Sequence, residues 1–193
     1  MQSIDVAVLG APAVGKSSVI QQYLDCTFPI RHSPTTSALT YTPAVLANTR
    51  LYQLNIIDTP PLQYFQMKSF YDWVDFQSYS DEVKDAAAFI LIFDIFNSGS
   101  FEYIKDIREQ ILDYRASSAN ELPMLVAGNK CDLGKCNSQS RRDMAHTVKK
   151  NWKSVYVECS AKYNWHVVSV FTDILKVICE SRDKTRRQEC EMV

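Results

Sequence analysis

Apolar residues recur along this chain with two alternating periods. Residues 4–9, 39–47, 51–58, 88–95, 123–128 and 155–159 are continuously apolar or alternate at every second position, and they are rich in Val, Ile, Leu and Tyr. That pattern predicts strands. Between them, residues 17–24, 100–114, 138–152 and 165–181 carry apolar side chains at helical spacing, as in Val167, Phe171, Ile174 and Ile178. A succession of strand, helix and strand implies right-handed crossovers and parallel pairing. Residues 39–47 and 51–58 are separated only by a turn at Asn48 and Thr49 and read as an antiparallel hairpin. Pro43 confines the first of these strands to an edge, because proline has no N–H for a second neighbour. The expected fold class is α/β: a six-stranded, mainly parallel sheet with one antiparallel edge hairpin and helices on both faces. Ligands of such a sheet lie beyond the carboxyl ends of its strands. Residues 26–38 and 59–85 lack regular periodicity and fall at that edge, where functional loops belong.

A length of 193 residues with 46% hydrophobic and 22% charged positions supports one core and is short for two. Residues 1–180 are expected to form the domain, and residues 181–193 a flexible basic tail. A formal net charge of −1 supplies no global positive field, so no nucleic-acid partner is expected. The chain enters a strand pattern at once, so no secretory leader is expected and the protein is read as cytoplasmic. The longest apolar run, residues 86–96, is broken by Asp94 and is about half the roughly 20 residues needed to span a bilayer, so it reads as a buried strand. Six cysteines, at positions 26, 131, 136, 159, 179 and 190, are expected to stay reduced in that compartment. Cys131 and Cys136 are the one close pair; without further cysteine or histidine ligands they read as free thiols and not as a zinc site.

The chemistry concentrates in two motifs. Gly10, Ala11, Pro12, Ala13, Val14, Gly15, Lys16 and Ser17 match G-x-x-x-x-G-K-[ST] directly after the first strand and at the head of a helix. Such a loop turns successive backbone N–H groups inward on a β-phosphate, and the helix amino end adds partial positive charge. Lys16 supplies a full charge for β and γ oxygens, Ser17 a hydroxyl ligand for Mg²⁺, and Ser18 a further contact of the same turn. Pro12, which has no N–H to give, should stiffen the loop without disabling it.

The second motif, Asn129-Lys130-Cys131-Asp132, follows the fifth strand. Its chemistry suits guanine. The Asp132 carboxylate can accept from N1–H and the exocyclic amine together, Asn129 can donate toward the opposite edge, and the Lys130 stem can lie across the ring. After the sixth strand come Ser160, Ala161 and Lys162, with the Ala161 N–H available to the guanine carbonyl. A site built on specific hydrogen bonds rejects an analogue lacking them by roughly 10⁴ to 10⁵, so adenine nucleotides are expected to bind poorly.

With both motifs in this order, residues from about 4 to 180 resemble the Ras superfamily of small GTPases. The resemblance implies the P-loop small G-protein fold, GTP or GDP as ligand, and Mg²⁺ as cofactor. It also matches Phe28 to an aromatic that packs on the guanine edge. Thr35 matches a threonine that closes over the metal, with Thr36 as a rival one step away, and Asp58 an aspartate that holds Mg²⁺ through water. Residues 36–40 lack the acidic pattern of the best-known Ras effector surface.

After Asp58 the pattern breaks, because Asp58-Thr59-Pro60-Pro61-Leu62 stands where the family has Asp-x-x-Gly-Gln. Pro61 cannot give the N–H that senses a γ-phosphate, and the Leu62 side chain can neither donate nor accept, so no catalytic residue is assigned. Intrinsic hydrolysis is expected to be slow unless Gln63, Gln66 or an arginine from a partner substitutes. This loop is also longer than usual and carries Tyr64, Phe65, Phe70, Tyr71, Trp73, Phe76 and Tyr79. Those rings either anchor a partner or fold back on a neighbouring helix. Residues 28–40 and the aromatic loop 60–85 are the expected surfaces for effector or regulator proteins.

Asp-x-Pro-Pro after the third strand, Arg-His-x-Pro-Thr from residue 31, Tyr-x-Pro-Ala-Val at 41–45 and Glu-Cys-Ser-Ala-Lys-Tyr-Asn-Trp-His at 158–166 are similar to the divergent Ras-like family member ten group. At the carboxyl end, Cys190 stands four from the terminus as in a C-a-a-X tail, though Glu191 is a poor aliphatic residue. Within residues 182–187, Arg182, Lys184, Arg186 and Arg187 outnumber Asp183, ahead of Glu189 and Glu191, a local balance that favours the cytoplasmic face of the plasma membrane if Cys190 carries a lipid. The expected function is a GTP/GDP signalling switch. Two other readings are a nucleotide-locked interaction module without a productive hydrolysis cycle and an ATP-using kinase, the latter opposed by Asn129 and Asp132.

Overall fold

The computed structural model describes residues 2–31, 33–47, 49–60, 83, 85–116, 122–134 and 138–191. Seven strands form one sheet: β1 (Gln2–Leu9), β2 (Leu39–Tyr41), β3 (Ala44–Ala47), β4 (Arg50–Asp58), β5 (Ala88–Asp94), β6 (Met124–Asn129) and β7 (Val155–Glu158). They run in the order β2-β4-β1-β5-β6-β7, with β3 also paired to β4. All pairs are parallel except β2 and β3 against β4. The helices are α1 (Lys16–Asp25), α2 (Ser98–Tyr114), α3 (Ser138–His146), which runs on into a π-helical turn (Thr147–Asn151), and α4 (Val167–Glu191).

The parallel sheet, its antiparallel edge and its helices match the sequence expectation, with one strand more. The expected strand at 39–47 is two, interrupted at Thr42 and Pro43. The proline has no N–H for the ladder, while its carbonyl still accepts from the Leu54 N–H at 2.9 Å. The interruption therefore leaves the hairpin register intact.

Alternation along β1 divides the core. Ile4, Val6 and Val8 face one layer, where they meet Val19 and Ile20 of α1 and Val167, Val170, Phe171 and Ile174 of α4. Ala7 and Leu9 face the other, against Phe101, Ile104, Ile107 and Ile111 of α2 and Met144 of α3. Each fully buried Val, Leu, Ile, Phe or Met side chain among them contributes roughly 1.5–3 kcal/mol. β5 and β6, at the centre, are covered on both faces, which is why they read as continuous apolar runs. α2 starts sharply because the Asn97 side chain accepts from the Ser100 N–H at 3.3 Å.

The apolar stripe of α4 ends near Cys179, yet its helical backbone runs to Glu191, past residue 180 where the sequence reading ends the domain. Residues 181–191 contain no glycine or proline and several strong helix formers, so nothing local stops the helix. No helix among the described residues is long and apolar enough to cross a membrane. Pro61, Leu62 and the aromatic residues from Tyr64 to Tyr79 lie outside the described residues, as do His32 and Cys136.

Candidate functional site

Parallel registry brings the ends of β1, β4, β5, β6 and β7 to one edge: Val8 lies beside Asp58, Asp94 beside Asn129, and Gly128 beside Glu158. The loops that follow these strands carry both motifs.

After β1 the chain curls tightly into α1. A Cβ at Gly10 would overlap the carbonyl oxygen of Ile92, and one at Gly15, where φ is +96°, would lie 2.5 Å from the amide nitrogen of Asn129. Only glycine fits at either place. Ala13 also takes a positive φ of 59°. Lys16 is buried, and its ammonium donates to the carbonyls of Gly10 at 2.9 Å and Ala11 at 3.2 Å. Burial pushes its pKa down to about 8, with the Asp58 carboxylate pulling weakly the other way. A buried cation so incompletely compensated favours the arrival of an anion.

Above this loop lies a cleft of about 250 Å³, lined by Pro12, Ala13, Gly15, Lys16, Ser17 and Ser18 from below and Pro29, Arg31, Ser33, Pro34 and Thr35 from above, with Gln21 at its side. The two walls are joined by a hydrogen bond of 2.8 Å between the hydroxyls of Ser17 and Thr35. Thr35, not Thr36, is therefore the threonine placed at Ser17. Asp58, at the end of β4, is 1% exposed, and its Oδ1 is buried with no hydrogen-bond partner. Burial raises the pKa of its carboxyl, while the Ser17 hydroxyl and the Lys16 charge oppose that rise. Among the described residues no cluster of histidine, cysteine, aspartate and glutamate could hold a metal by itself.

The second motif is built around Asn129. Its Nδ2 donates to the Val14 carbonyl at 2.8 Å, and its Oδ1 accepts from the Ala161 N–H at 3.1 Å. The sequence reading directs both groups at a base. Here the Ala161 N–H and one Asn129 donor instead satisfy protein partners, as a nearly inaccessible amide requires. Asp132 is oriented by the Ser160 hydroxyl, which donates to its Oδ1 at 2.5 Å and itself accepts from the Tyr163 N–H at 3.2 Å. Lys130 turns through φ +65° and pairs with Asp94 at 2.8 Å. Asp94 lacks any motif signal in the sequence, although its place at the end of β5 puts it on the ligand edge. Lys162 lies over the Tyr163 ring at 5.1 Å, and Phe28 is 42% exposed. Arg31 and Pro29, which the sequence reading did not assign to the nucleotide site, belong to the cleft; their signal is the proline-bracketed segment ahead of Thr35.

The Ras family model matches residues 5–180. The chain belongs to the Ras family. It is 41% identical over 179 residues to Ras-like protein family member 10B of Homo sapiens, covering 93% of this chain and 87% of that protein. Identity to Ras-like protein family member 10A of Mus musculus is 42% over 175 residues, covering 90% and 85%. Ras-like protein 2 of Drosophila melanogaster is 30% identical over 179 residues, covering 92% and 85%. As a Ras-family member, the chain is a GTP-binding Ras-like protein of the small GTPase class.

Proposed function

We propose that this Ras-family chain is a GTP/GDP signalling switch that works with Mg²⁺ and hydrolyses GTP slowly on its own. The observation that carries the switch reading is the latch between Ser17 on the phosphate helix and Thr35 on the loop above it. A loop fastened at one hydroxyl pair is placed to respond when the occupant of the cleft changes.

The phosphates sit over residues 10–18 with Lys16 as their buried cation, and the base lies against Asn129, Lys130, Asp132 and the loop of Ser160, Ala161 and Lys162, with Phe28 at its edge. The donors Ser17, Thr35 and Asp58 are all oxygens, and the orphaned Oδ1 of Asp58 supports a cation or its water beside it. That chemistry fits Mg²⁺, which takes few protein ligands besides phosphate and water. When bound, the ion would neutralise phosphate charge; Ser17 and Thr35 would hold it directly and Asp58 through water. The chain's own residues orient the nucleotide: Ser160 sets the Asp132 carboxylate, and Asn129 fixes the phosphate loop against the base loop.

Slow hydrolysis follows from Pro61 and Leu62, which supply neither the N–H nor the amide that position γ-phosphate and water. Effector or regulator proteins meet residues 28–40, where Phe28, Ile30 and Leu39 are exposed, and the aromatic loop 60–85. The basic end of α4 and Cys190 support attachment to the cytoplasmic face of the plasma membrane through a lipid. The second reading, a nucleotide-locked interaction module, draws on the same Pro61-Leu62 replacement.

Single-turnover hydrolysis of bound GTP separates the two. The switch predicts a measurable rate and a partner affinity that differs between the GTP and GDP forms. No turnover under any condition, with equal affinity in both forms, favours the module.

A further inference from the structure

The cleft above the phosphate loop holds one charged side chain without a task in the account so far. Arg31 lines it together with Gly15, Lys16, Ser17 and Thr35. Pro29 and Pro34 stand on either side of Arg31 and each fixes a backbone dihedral, while the Ser17–Thr35 hydrogen bond of 2.8 Å fastens the far end of the segment to α1. The segment is thus restrained over the phosphate loop. Among the described residues no ion pair holds the exposed Arg31 guanidinium. No aspartate or glutamate is among the residues lining the cleft, so Lys16 and Arg31 face the same space with no acid between them. An anion entering there has a buried lysine and an arginine among the residues around it, and the arginine's planar fork of donors suits phosphoryl oxygens.

We propose that Arg31 contacts the γ-phosphoryl group of bound GTP and stabilises the charge that develops during hydrolysis, an arginine supplied by the chain itself. The inference rests on the GTP-hydrolysis reading above. In the step, the oxygen of water bonds to the γ-phosphorus as the bond from that phosphorus to the bridging oxygen breaks. GDP leaves with the electron pair, and the proton of water ends on the released phosphate. Arg31 keeps its own proton throughout, because guanidinium does not deprotonate in proteins. The role matters more here than in a chain with Gly-Gln at these two positions, since Pro61 has no N–H and the Leu62 side chain carries no polar group. Whatever hydrolysis the chain retains without a partner then depends on Arg31.

The test uses the full chain and its Arg31→Ala and Arg31→Lys variants. Three quantities are read: single-turnover GTP hydrolysis, the GDP dissociation constant, and capture of aluminium fluoride by the GDP form, which mimics the transferring phosphoryl group. Arg31→Ala is expected to slow hydrolysis about 100-fold or more, on the scale of a lost transition-state arginine. Its GDP affinity stays within about threefold, because the contact is made to a group that GDP lacks. Arg31→Lys recovers part of the rate, and unassisted fluoride capture is present in the wild type and absent in Arg31→Ala. Equal hydrolysis or equal fluoride capture by wild type and Arg31→Ala, with GDP bound normally by both, overturns the proposal alone. So does a wild-type chain that binds GDP yet neither hydrolyses GTP nor captures fluoride. A wild-type chain with no GDP affinity overturns both this inference and the nucleotide reading beneath it.

Discussion

One side-chain amide, that of Asn129, joins the turn after β1 to the loop after β7. Replacing it with alanine leaves the Val14 carbonyl and the Ala161 N–H without their partner in a region closed to water. Each such loss costs roughly 1–3 kcal/mol. Asn129→Ala is therefore expected to lower stability by about 2–4 kcal/mol, read from urea unfolding, and to weaken GDP binding as well. A variant as stable as the wild type contradicts the cross-linking role. The motif reading places Asn129 at the site but not these contacts, because spacing along the chain says which strand end delivers a residue and not which neighbour will satisfy it. Asp132 and Lys16 were more fully legible, since charge, burial and motif context point the same way. Arg31 was not, because no periodicity marks a loop arginine and the Arg-His-x-Pro-Thr string that it opens signals a resemblance and not a chemical role.

At the scale of elements, α3 is held to the sheet edge by Arg141, which makes a bidentate pair with Glu158 at the end of β7, while the Tyr156 hydroxyl donates to the same carboxylate at 3.1 Å. Burial pushes the Glu158 pKa up, but the Arg141 hydrogen bonds and charge, helped by Tyr156, bring it below its ordinary value. A carboxylate depressed in the folded state contributes stability above its unfolded pKa, about 4.3, and that contribution is lost as pH falls through the lower folded value. The pair is partly exposed, so solvent screening holds the effect to about 1 kcal/mol or less. Glu158→Gln should flatten the acid limb of a thermal-unfolding series across that window, whereas an unchanged acid limb would show the pair to be energetically silent. Strand and helix placement followed closely from periodicity. Pro43 was read correctly as an edge residue, but alternation continues across it, so the pattern alone did not reveal the interruption. Likewise the π-helical turn at Thr147–Asn151 keeps Val148 inward, and apolar spacing does not distinguish it from ordinary helix.

Across the whole molecule, function is a matter of which strand ends meet. The parallel order puts the turn after β1, Asp58 after β4 and the loops after β6 and β7 on one edge, and that arrangement was legible from the succession of strands and helices. What the sequence left open is the cleft itself, since the reach of residues 26–38 over α1 depends on loop geometry that carries no period. The central claim is that this edge takes a guanine nucleotide in preference to an adenine one. Mass analysis of the nucleotide released from the purified chain tests it most directly. The account predicts GDP or GTP at close to one per chain, without ATP or ADP. Adenine nucleotide in its place, or an empty chain that takes up neither GDP nor GTP when Mg²⁺ is supplied, would contradict it.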